Sequence, residues 1–149
     1  MKTTLTFLLF VLILSCKSEH KKPAEATIET ETVSTTDTDK LHLNNGKKWM
    51  ANIETDNGMK KIDSILKTHN VIVESNSLDI ANALSQQTSY IIKSCDMKGK
   101  AHDQLHVVLL PILEEVSNLK EAQNVTDHNK SVIELQKLTA AYFKHFTTY

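Results

Sequence analysis

Between residues 102 and 119 one set of side chains recurs at alternating intervals of three and four: His102, Leu105, Leu109, Ile112, Val116 and Leu119. A strand cannot gather them, because its side chains change face at every residue, whereas a helix of 3.6 residues per turn places all six on one stripe. Pro111 falls inside this stretch and removes the bond to the Val107 carbonyl; Leu110 is a poor cap, so a kink within one helix is expected rather than a new helix. Three more segments have the same period. The first predicted helix begins near Thr55 or Asp56 and carries Met59, Ile62, Leu66, His69 and Val73. The second has Ser77 as its N-cap, carries Ile80, Leu84, Thr88, Ile91 and Cys95, and finds in Gly99 a residue suited to its C-terminus. The fourth follows Thr126 or Asp127 and carries Val132, Leu135, Leu138, Tyr142, His145 and Tyr149. Short connections between such helices predict an all-α, antiparallel up-down four-helix bundle over residues 55–149. Residues 41–54, with a turn at Asn44-Asn45-Gly46, are expected to fold against one end through Trp49.

What precedes the bundle has a different composition. Residues 1–15 hold one lysine and an apolar run from Leu5 to Leu14, too short for a membrane span and fitting a secretory signal. Ile13-Leu14-Ser15-Cys16 resembles a bacterial lipobox, with Leu14 a tolerated departure, and the resemblance implies that Cys16 is acylated and becomes the first residue. Several acyl chains, at about 0.8 kcal/mol per buried methylene, would anchor the chain to a lipid bilayer without spanning it. Residues 16–40 then form the lipidated cysteine and a tether of Thr, Glu, Asp and Lys with too few apolar side chains to fold. The 149 residues thus divide into a signal at 1–15, a tether at 16–40 and a single domain at 41–149. The domain has twelve lysines against twelve carboxylates and the chain has no arginine, which argues against a nucleic-acid surface. The expected location is the bacterial cell envelope, with the domain on the periplasmic side and other envelope proteins as partners.

In an up-down bundle the ends of helices two and four share a pole with the starts of one and three. That pole collects Cys95, His102, His106, His145, Met59 and Trp49, whereas His69 and His128 go to the opposite one. His102 and His106 are four residues apart, a spacing that turns both imidazoles to one face. The positive helix start there disfavours imidazolium and leaves the neutral ring a metal needs. A Cys95 thiolate is a soft donor selecting Cu(I) or Zn. His145 is the preferred fourth ligand; Met97, two residues after Cys95, converges only if the helix has already unwound. The competing reading is structural: His102 and His145 on stripe positions as hydrogen-bonded core histidines, Cys95 as a small buried apolar residue in a domain without a second thiol, and an interaction protein that holds no ion.

Other chemistries fit less well. His102-Asp103-Gln104-Leu105-His106 is one methylene short of the zinc-peptidase HExxH, but no third ligand follows in the usual place and an acid in a first turn is expected anyway, so no enzyme is assigned. Glu114 and Glu115 lie between stripe positions and cannot supply a di-iron site. A b-type haem held by Met59 and His145 is the remaining alternative; CxxCH is absent, which excludes covalent attachment.

Two stretches, LNNGKKWMAN at 43–52 and SCDMKGKAHDQLH at 94–106, resemble those of small Bacteroidota lipoproteins of unestablished activity. The resemblance covers most of residues 41–149 and draws attention to Cys95, Met97, His102 and His106. It also implies a further histidine near the proline of the third helix, where this chain has Leu110 and Ile112, so a shared metal site would be depleted here.

Overall fold

The computed structural model describes residues 40–68 and 77–149. The signal, Cys16, the tether up to residue 39, and the stripe positions His69 and Val73 lie outside the described residues. Four helices follow one another, α1 (Ile53–Thr68), α2 (Ser77–Ser94), α3 (Lys100–Glu121) and α4 (Val125–His145). Each packs on the next and α4 returns to α1, which makes the four-helix bundle the stripes predict. Among the described residues no helix is long and apolar enough to cross a membrane.

The stripes meet in one core. Met59, Ile62, Leu84, Ile91, Leu105, Ile112, Leu119 and Leu135 are fully buried. Each such side chain contributes about 1.5–3 kcal/mol relative to an exposed position. α3 runs as one helix through Pro111, itself buried, so no new helix starts there. α1 and α2 approach closely enough that Gly58 is buried; a Cβ there would lie 2.3 Å from Cγ1 of Ile91.

Several boundaries differ from the sequence expectation. α1 starts at Ile53 instead of Thr55 or Asp56, because Asn52 already organises the turn: its carbonyl accepts from Asp56 N–H at 3.1 Å and its Oδ1 accepts from the Thr55 hydroxyl. α4 starts at Val125, with Asn124 as N-cap accepting from Asp127 N–H at 2.9 Å and donating to the Asp127 carboxylate at 2.7 Å. The Asn124 side chain thereby satisfies one of the open donors of the first turn. Gly99 does not close α2; it precedes α3 with φ 60° and ψ −149°, a region that side-chain-bearing residues avoid. Tyr149 is fully exposed and off the stripe, because α4 ends at His145 and Phe146 turns inward in its place.

The strand pattern the periodicity lacks is present in miniature. β1 (Trp49–Met50) and β2 (Phe146–Thr147) pair in parallel, Trp49 opposite Phe146. Ala51 N–H continues the ladder to the Thr147 carbonyl at 2.9 Å. Parallel strands need a long crossover, and here the crossover is the whole bundle. Ahead of β1, Asn44 and Lys47 exchange both backbone bonds across Asn45 and Gly46, whose positive φ of 51° and 81° fit a two-residue hairpin turn.

Candidate metal centre

The up-down topology brings the expected ends together. Asn52, just before α1, donates from Nδ2 to the Ser94 carbonyl at the end of α2, at 2.9 Å. His42 N–H donates to Oε1 of Gln104 in the first turns of α3, at 2.8 Å. Lys48 Nζ donates to the Phe143 carbonyl near the end of α4, at 2.6 Å. Trp49 is buried and its indole N–H donates to the His42 carbonyl at 2.5 Å, so residues 41–52 are strapped across this pole.

Cys95 sits where α2 stops. Its N–H makes a last helical bond to the Ile91 carbonyl at 2.9 Å, and residues 95–98 are not helical. Exposure alternates along them: Cys95 half-buried, Asp96 exposed, Met97 half-buried, Lys98 exposed. Both sulfur-bearing side chains pack against the core, so the unwinding that Met97 requires to turn inward is in place. Gly99 then reverses the chain into α3, and two residues into that helix His102 comes back to Cys95. Sγ of Cys95 lies 3.7 Å from Nδ1 of His102.

His106 follows one turn later, its ring centroid 4.3 Å from that of His102. Partial burial, then the neighbouring His102 charge, hold the His106 imidazole below its ordinary pKa, against an opposing pull from Asp103. The ring therefore stays neutral to lower pH than a free histidine. His145 is half-buried at the end of α4 and its Nδ1 lies 2.8 Å from the Ala141 carbonyl. A carbonyl only accepts, so Nδ1 is the donor, and in the neutral ring Nε2 is the atom left to ligate. The structure thus brings Cys95 and His102 into contact and places His106 beside them. Among the described residues no group of three His, Cys, Asp or Glu side chains is arranged to hold a metal ion.

Beneath the pole lies a polar couple that the stripes did not reveal. Tyr142 is buried, stacks on Phe146 with ring centroids 4.9 Å apart, and directs its hydroxyl to Oδ1 of Asp56 at 3.5 Å. The other Asp56 oxygen is paired with Lys60 at 2.7 Å. Burial first, then the Asp56 carboxylate and, more weakly, Cys95 push the Tyr142 phenol well above its usual range. The phenol therefore stays protonated and can donate. In the sequence Asp56 stands only as a candidate start of the first helix; its pairing with a tyrosine eighty-six residues on has no local signal.

The remaining candidates are placed as follows. Met59 is fully buried among the core side chains. Asp103 and Glu114 are exposed, whereas Glu115 is half-buried and accepts from Asn118 at 3.2 Å. His128 is buried in the first turn of α4, about 26 Å along that helix from His145 at 1.5 Å per residue. No family model, curated protein or solved structure matches this chain.

Proposed function

We propose that this chain is a lipid-anchored envelope protein whose helical domain holds a soft metal ion, Cu(I) or Zn(II), at the pole that carries Cys95, His102, His106 and His145. The observation that carries the reading is the 3.7 Å between Sγ of Cys95 and Nδ1 of His102. A metal bound at about 2.3 Å to sulfur and about 2.0–2.1 Å to nitrogen, with a tetrahedral angle, holds those atoms about 3.6 Å apart. An ion can therefore replace the proton between them with little movement of either residue. The His106 ring one turn on and the His145 imidazole at the end of α4 belong to the same pole.

Elemental analysis of untagged protein followed by Cu(I) and Zn(II) titration tests this. One equivalent should bind, more weakly at acid pH, because thiol and imidazoles must lose protons to ligate. His102→Ala should lower affinity more than His128→Gln, which lies at the far end of the bundle. Equal effects, or no binding by reduced and folded protein, would remove the metal reading. The alternative is then an interaction domain for envelope partners.

The envelope location rests on the lipobox-like run ending at Cys16 and on the secretory character of residues 1–15. Expressed in a Gram-negative host, the chain should partition into detergent, and Cys16→Ala should move it to the aqueous phase or leave it unprocessed. Unchanged detergent partitioning of that variant would defeat the assignment.

A further inference from the structure

We infer that the ion at this pole is Cu(I), and that Met97 supplies a thioether as third donor beside the Cys95 thiolate and His102; the inference rests on the metal reading above. Three observations lead to it. The first is the alternation along residues 95–98, which turns Cys95 and Met97 to the same inward side with Asp96 and Lys98 between and beyond them in solvent. Both sulfurs belong to side chains packed on the core.

The second is the donor count. Zinc sites take three or four protein ligands, drawn from Cys, His, Asp and Glu. Among the described residues no three such side chains are gathered here. Cu(I), a closed-shell soft ion, is satisfied by two or three donors and takes thioether sulfur, which Zn(II) rarely does. His106 does not fill the third place: it is largely exposed, and with Cys95 and His102 it forms no three-donor group among the described residues.

The third is charge. One thiolate neutralises Cu(I) completely, and the imidazole and thioether add none, so the complex is neutral overall. The same donors around Zn(II) leave a net positive charge at a half-buried position, which burial penalises. With Cys95 the only cysteine among the described residues, no second thiolate is at hand to cancel it.

The test uses the full chain carrying Cys16→Ala, so that Cys95 is its only thiol, under reducing and anaerobic conditions. Cu(I) is offered in competition with a chromophoric Cu(I) chelator, and Zn(II) separately with a zinc chelator. Cu(I) should bind with one equivalent and roughly a hundredfold more tightly than Zn(II). Met97→Leu should weaken Cu(I) binding by about tenfold or more and leave Zn(II) binding unchanged, since loss of a group merely supporting a ligand already costs 10–100-fold. X-ray absorption of the Cu(I) complex of the chain that retains Met97 should show two sulfur scatterers and one nitrogen. That measurement stands even if the leucine variant folds poorly. A single sulfur scatterer, equal affinity for the two ions, or a leucine variant that folds and binds Cu(I) undiminished overturns the inference while the soft-metal reading stands. Binding of neither ion overturns both.

Discussion

Cys95→Ser, in the full chain carrying Cys16→Ala, is expected to lose at least about a hundredfold in affinity for the bound ion, well beyond what an outer group would cost. Serine is close to cysteine in size, and Cys95 is half-buried at a helix end where its backbone bond to Ile91 does not depend on the side chain. The fold should therefore change by no more than about 1 kcal/mol. What changes is the donor: a soft thiolate gives way to a neutral hydroxyl that a soft ion binds poorly. His102→Ala should lose a comparable amount. Because the two atoms hold one ion together, the double variant should be little worse than either single one. Isothermal titration with each variant reads this directly, and circular dichroism confirms that helix content is retained. A serine variant that binds as tightly as its parent would show that the thiol is not a ligand.

Gly58→Val is expected to lower unfolding free energy by about 3 kcal/mol or more, through overpacking of the α1–α2 contact together with the poor helix propensity of a β-branched residue. A Cβ at this position meets Cγ1 of Ile91 at 2.3 Å and Cδ1 at 2.9 Å. Ile91 has no exposed surface and Cγ1 is not the free end of its side chain, so relief requires the helices to separate. Gly58→Ala introduces the same first contact with less bulk, and the gain of about 1 kcal/mol in helix propensity offsets part of it. A net loss of about 1–2 kcal/mol is expected for alanine. Urea denaturation measures both, and Gly58→Ala combined with Ile91→Ala should cost less than the sum of the single changes, because the second substitution removes the atom that the first one strikes. A stabilised alanine variant would contradict this close packing of α1 on α2.

The helices themselves were legible because their signal is local. Leu105, Leu109, Ile112, Val116 and Leu119 announce one buried face through a spacing that only a helix satisfies, and all five are buried. The same holds for Met59, Ile62 and Leu66 on α1 and for Val132, Leu135, Leu138 and Tyr142 on α4. The turn at Asn45 and Gly46 was also readable, since few residues accept its positive φ. From these the order of the bundle follows, and with it the pole at which Cys95 and His102 share an end.

Tertiary structure decided where the periodicity stops and which polar groups meet. Asn52 opens α1 early partly because its amide reaches the Ser94 carbonyl on another helix. Phe146, and not Tyr149, completes the α4 stripe because the chain leaves the helix after His145 to pair with Trp49, far away in sequence. Gly58 shows its purpose only when Ile91 is set against it. At the candidate centre the sequence placed four donors at one pole, and the folded chain put Cys95 against His102 because α2 ends at Ser94 and Gly99 turns the backbone back. Periodicity is set by neighbours within a helical turn and can be read along the chain. Contacts between distant segments depend on how whole helices seat on one another, which no short window of residues contains.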